Sequence, residues 1–252
     1  MVYELWLDTE ENRALLAICA RKLIRNTGIG AIVWGGINLL IGAFAVTVHP
    51  INIGILVLAV MMLASGVRAI QKPSLDALRT EAIVSIVLLA WNVSMTVYNL
   101  QQAGVFDPRG LIFPIVVAVT FFGYHKKLQH VREQVETVEP ERIKTLQQLC
   151  KTLQKKKLKE EPEIVQASSR CRAQLIGDRA FFVQADMMKA FVASRREVQA
   201  CLVKPDAKKL AIKVRHPMGV LTYKFDKKNS DRLRNWLATA APDVALPVAQ
   251  PV

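Results

Sequence analysis

The chain begins with a short mixed segment and then turns apolar. No Asp, Glu, Lys or Arg occurs between Gly28 and Val67, and none between Ala82 and Phe106. Hydrocarbon about 30 Å thick needs roughly 20 apolar residues at helical rise, so such runs predict membrane-spanning helices rather than core helices. The interruptions are His49-Pro50, the charged stretch 71–81, and a turn holding Gly104 and Pro108. They divide the block into four spans, at 28–48, 51–70, 82–100 and 110–124. The fourth supplies only about 22 Å of apolar helix. It therefore needs snorkelling by Lys126 and Lys127 or a locally thinned bilayer. A re-entrant hairpin is the alternative.

Ahead of this block, residues 1–27 read as an amphipathic helix. Asp8 and Glu11 have capping-box spacing. Leu15, Leu16, Cys19, Leu23 and Ile24 fall broadly together, and Arg13, Arg21, Lys22 and Arg25 supply the polar side. With Tyr3 and Trp6 in front, such a helix suits the membrane–water interface. Packing on a soluble domain is the other possibility.

From His125 the pattern changes. Leu128, Val131, Val135 and Val138 form an apolar seam at helical spacing, Pro140 interrupts it, and Ile143, Leu146, Cys150 and Leu153 restart it. These seams pack on each other or on the following domain, or form a coiled coil between protomers. After a linker at 160–163 the period falls to two. Strands are expected at 173–176, 180–184, 189–193, 198–203, 210–215 and 220–225, with turn signals at Gly177-Asp178, Pro205-Asp206 and Pro217-Met218-Gly219. Asn229-Ser230-Asp231 caps a last helix bearing Leu233, Trp236 and Leu237.

Antiparallel strands closed by one helix with a tryptophan resemble, in element order, the small pleckstrin-homology-like (PH-like) domains of bacterial membrane proteins. The resemblance covers 164–238 and implies a small β-barrel. The expected fold is thus an α-helical membrane protein with four transmembrane helices and a cytoplasmic α+β, PH-like barrel. Its domains are an interfacial helix (1–27), the transmembrane block (28–124), a helical stalk and linker (125–163), the PH-like domain (164–238) and a disordered tail (239–252).

Composition sharpens this. Hydrophobic residues make up 52% of the 252, and 34 basic residues against 21 acidic give a net charge of +13. The basic flanks are the N-terminal segment, the 71–81 connection and the stretch after 124. All three share one side only if both termini are cytoplasmic, as in a multi-pass protein of a bacterial inner membrane. The four cysteines lack CxxC spacing and the four histidines lack metal-ligand spacing, so no metal or cofactor is expected. No catalytic motif is present, and binding rather than catalysis is expected.

Within the spans, Ala31, Gly35, Asn38 and Gly42 share a small-residue face, and Ser85, Asn92, Thr96 and Asn99 a polar one. These faces are expected to meet, with Asn38 and Asn92 hydrogen-bonding between the first and third spans. A transporter or channel subunit could instead use the polar face. The spans as drawn contain no acid or base, which weighs against ion-coupled transport. Residues 164–240 carry 16 Lys and Arg against 6 Asp and Glu, a field that attracts anionic lipid headgroups or an acidic protein partner. The candidates are Lys155, Lys156, Lys157, Arg195, Arg196, Lys208, Lys209, Lys227 and Lys228. The bilayer, anionic headgroups and a protein partner or second copy of the chain are the expected partners. Nucleic acid is not, since no aromatic-interleaved basic motif occurs.

Overall fold

The computed structural model describes residues 3–4, 9–48, 50–104, 109–132, 137–155, 163–167, 171–184, 189–203, 207–217 and 219–239. The chain forms two compact units, one from residues 21–132 and one from 1–20 with 133–252.

The helical unit contains most of α1 (Glu10–Val48), then α2 (Ile53–Gln71), α3 (Leu75–Ala103) and α4 (Arg109–Gln129). The 39 residues of α1 make a rod of about 58 Å. Thr9 opens it, its hydroxyl accepting from Asn12 N–H at 3.3 Å. Asp8, the expected cap, lies outside the described residues. The turn after α1 is tied down by Asn52, whose amide donates to the Ala45 carbonyl at 2.9 Å. Ser74 caps α3 by accepting from Ala77 N–H at 3.2 Å, so the stretch 71–81, expected as a connection, is mostly helix. Gly104 ends α3 at φ 66°, a left-handed position that favours glycine.

Three of these helices, α1, α2 and α3, are long and apolar enough to cross a membrane. The outward surface agrees: Leu40 is 75% and Phe44 74% exposed, while Ala31, Ala59 and Ala69 are buried. Large apolar groups outside and small ones between helices is the membrane arrangement. Helix α4, which carries Pro114 within it, packs on α3, and its Phe121 and Val117 join a buried cluster with Ala31, Leu58, Met62, Ala82 and Leu88. Arg109 at one end and Lys126 and Lys127 at the other dilute its hydropathy.

The second unit is built on two open sheets. One has the order β2 (Ile164–Ala167), β3 (Cys171–Ile176), β4 (Arg179–Gln184), β5 (Ala190–Ser194), all antiparallel. Gly177 at φ 54° makes the tight β3–β4 turn. The other has the order β1 (Tyr3–Glu4), β6 (Ala211–His216), β7 (Gly219–Lys224). Single bridges, Ala167 to Phe225 and Leu202 to Ile212, extend the pairing, but the described strands do not close a barrel. Helix α7 (Lys227–Ala238) starts from Asp226, whose carboxylate accepts from Asn229 N–H at 2.7 Å, three residues before the expected cap.

The four-stranded sheet is covered on both faces. One face shares a core with the other sheet and α7, through Phe182, Phe191, Val214, Tyr223 and Leu233. The rings of Phe182 and Phe191 stack with centroids 4.7 Å apart. The opposite face, Phe181, Val183 and Val192, is covered by Leu15 and Ile18 of α1 and by Ile143, Leu146, Cys150 and Leu153 of α5 (Pro140–Lys155). This explains why β4 and β5 are almost uninterrupted apolar runs rather than alternating ones.

The second seam of the expected stalk packs on the sheet of the following domain, one of the arrangements expected for it. Two expectations change. The start of α1 does not present one apolar stripe to an interface, because Ala14 to Ala20 are all buried inside this unit. Residues 195–200 form a short helix, α6 (Arg195–Ala200), in place of the start of a strand. Ser194 and Glu197 form a full capping box there, and two satisfied backbone donors outweigh the local strand pattern.

Candidate functional site

The small-residue face of α1 meets α2, its neighbour in sequence. A Cβ added to Gly35 would lie 3.1 Å from the Ala59 carbonyl oxygen, and one on Gly42 3.0 Å from Leu56. The closest approach is at Gly28 and Gly66. A Cβ on Gly66 would sit 2.7 Å from the Gly28 carbonyl oxygen, nearer than real atoms come. Ala31 is fully buried beside this crossing.

The bond expected between Asn38 and Asn92 is absent among the described residues. Asn38 donates to the Trp34 carbonyl at 2.9 Å and Asn92 to the Leu88 carbonyl at 2.7 Å, both within their own helices. Thr96 and Ser85 also bond back, to Asn92 and Ala82, and Asn99 is exposed. Apolar surroundings offer these donors no water, so the nearest helix carbonyl takes them.

One group was invisible to hydropathy. Glu81 follows Arg79 and so read as the end of a charged connection. In the structure it lies in the second turn of α3 and is completely buried, at 0% exposure. Among the described residues neither carboxyl oxygen has a hydrogen-bond partner. A helix wheel carried back from Ser85 and Leu88 would have placed Glu81 on their inward face. Near the same end of α3, Leu75, Asp76, Arg79, His125, Gln129 and Arg132 line a polar cleft of about 240 Å³.

The basic candidates divide. Arg195 is half-buried and engaged. Its guanidinium donates to the Gly177 carbonyl at 2.9 Å, sits 3.5 Å from the Asp178 carboxylate and lies 4.9 Å over the Trp236 ring. Trp236 donates to the same carbonyl at 2.9 Å. Arg195 therefore clamps α7 to the β3–β4 turn and is unsuited to the role expected of it at a binding surface. Arg196, Lys208, Lys209, Lys227 and Lys228 are exposed. The two lysine pairs are brought together: Leu210 N–H donates to Ser230 Oγ at 2.9 Å, and Arg234 reaches the Ala207 carbonyl. Lys155 ends α5, and Lys156 and Lys157 lie outside the described residues.

Among the described residues no His, Cys, Asp and Glu cluster could hold a metal. The four cysteines are buried and form no disulfide, and burial pushes the Cys150 thiol up to about 12 and the Cys201 thiol up to about 12, far from thiolate chemistry. His216 on β6 is 2% exposed. Burial first, and then the charge of Lys189, hold it down to about 4, from 6.5 in an exposed histidine. The unfolded chain thus takes up a proton that the folded chain refuses. Stability is full above about pH 6.5 and is lost as pH falls towards 4, by roughly 3 kcal/mol for this group. A His216→Gln variant is expected to flatten that part of a stability–pH profile measured on the full chain.

No family model, curated protein or solved structure matches the chain. The geometry alone therefore carries any reading of function.

Proposed function

We propose that the chain is a multi-pass protein of a bacterial-type inner membrane, with both termini cytoplasmic, that acts as a scaffold or regulator through a basic domain that binds anionic lipid headgroups. In this reading α4 crosses as a fourth span, snorkelling Lys126 and Lys127. The charge pattern supports the orientation. Arg21, Lys22 and Arg25, then Arg68, Lys72 and Arg79, then Lys126, Lys127 and Arg132 alternate with connections at 49–52 and 104–108 that carry almost no charge. The order of a four-stranded sheet, a second sheet and a helix bearing Trp236 supports the PH-like reading of the domain. Its departure is that β1 is supplied from before the helical unit.

The observation that carries the binding role is the exposed quartet Lys208, Lys209, Lys227 and Lys228, assembled from two chain segments. A basic group near a charged membrane contributes about 1 kcal/mol, so four such groups suffice for headgroup capture. The test uses the full chain in nanodiscs of neutral lipid, with and without anionic phospholipid. Amine acylation read by mass spectrometry should show these four lysines protected only in the anionic discs, and less so at high salt. Equal reactivity in both discs would rule out lipid as the ligand. A second reading, a transport component, is favoured by one observation, the buried Glu81.

A further inference from the structure

We infer that Glu81 is a proton-binding site inside the helical unit, occupied as a neutral carboxylic acid at neutral pH. The geometry leaves an ionised form without support. The Thr27 hydroxyl on α1 is the carboxyl's polar neighbour. That hydroxyl already gives its proton to the Ile24 carbonyl at 2.7 Å. It can donate to a Glu81 carboxylate only by giving up that bond, and otherwise has only a lone pair to offer, which suits a carboxylic O–H. Ser85, one turn along α3, donates to the Ala82 carbonyl at 2.8 Å, and the buried Ser65 of α2 donates to the Met62 carbonyl at 2.9 Å. The buried hydroxyls of this region thus present acceptors rather than donors.

No cation compensates either. The charged or titratable residues that bound this end of the bundle are Arg21, Lys22 and Arg25 on α1, Arg68 on α2, Lys72 just after it, Asp76 and Arg79 on α3, and His125, Lys126, Lys127, His130 and Arg132 at the end of α4 and just beyond. The arginines and lysines among them are exposed, apart from the half-buried Lys22, and among the described residues none pairs with Glu81. Burying an unpaired carboxylate costs several kcal/mol after relaxation, whereas the neutral acid costs far less. Sodium fits poorly, since the described surroundings supply one carboxyl and few free oxygens where a hard cation takes about six. Loss of the proton would draw water or a partner to the junction of α1 and α3. Proton occupancy is thereby coupled to packing, and this coupling is independent of what the lysine quartet binds.

The test uses the full-length protein in liposomes with dicyclohexylcarbodiimide, which modifies protonated carboxyls in apolar surroundings. Labelling is expected at Glu81 at neutral pH, declining as pH rises, and lost in Glu81→Gln. The infrared band of a protonated carboxyl should vanish in the same variant, a readout that does not depend on reagent access. Glu81→Gln is isosteric with the neutral acid and should keep the wild-type melting temperature. Absence of that band at neutral pH would overturn the assignment. So would labelling that sodium suppresses at constant pH, which would make the ligand a metal cation.

Discussion

Gly66→Leu is expected to separate the first two apolar helices and abolish a cooperative melting transition in detergent. A single Cβ at this position already falls 2.7 Å from the Gly28 backbone oxygen and 2.9 Å from Ile32. Overpacking in a core usually costs about 1–3 kcal/mol because side chains can change rotamer. Here the obstacle is backbone on the facing helix, so the loss should exceed about 3 kcal/mol. Gly66→Ala should show a smaller loss of the same sign. Gly30→Leu is the control, since a side chain there meets nothing within 4 Å. A wild-type melt for Gly66→Leu would mean that α1 and α2 do not cross at these glycines.

The second large effect is expected at Asn12. Strand β5 is an edge of its sheet, and Val192 sits there with its N–H and C=O turned away from β4. The Asn12 amide completes both: it donates to the Val192 carbonyl at 3.0 Å and accepts from its N–H at 2.8 Å. One side chain thus replaces a missing strand, and Arg142 reinforces the join by pairing with Glu10 and Glu11. Asn12→Ala leaves two buried backbone groups unpaired, at about 1–3 kcal/mol each. Chemical denaturation of the full chain should show a loss of roughly 2–6 kcal/mol in the transition of the sheet unit. Asn12→Asp keeps the acceptor but turns a carboxylate on the Val192 carbonyl, so it should not rescue. Wild-type stability of Asn12→Ala would refute the edge-strand role.

Asn12 also shows why a fragment beginning at residue 164 is the wrong object for binding experiments. The sheet unit takes β1 and the start of α1 from before the helices, and without them Phe181, Val183 and Val192 would face water. Nothing local in Tyr3-Glu4 or Asn12 announces a partner some 180 residues away. The reading of residues 1–27 as interfacial rested on a stripe, and a helix buried all round shows no reliable stripe.

What the sequence by itself determined is what depends on length, local caps and turns. A charge-free run sets a helix long enough for a bilayer whatever it packs against. Gly177-Asp178 sets a two-residue turn, because few residues take a positive φ there without strain. The apolar stripe of α7 was equally legible, since Leu233 and Trp236 recur at helical spacing. Tertiary structure alone decided which helix the glycines of α1 meet, since α2 and α3 both offer apolar faces. It decided that Arg195 clamps Trp236 while its neighbour Arg196 stays exposed. It also decided that Glu81, two residues after Arg79 in the chain, faces inward against Thr27. In each case the outcome depends on a residue far away in sequence, and hydropathy scores a residue without knowing what lies across from it.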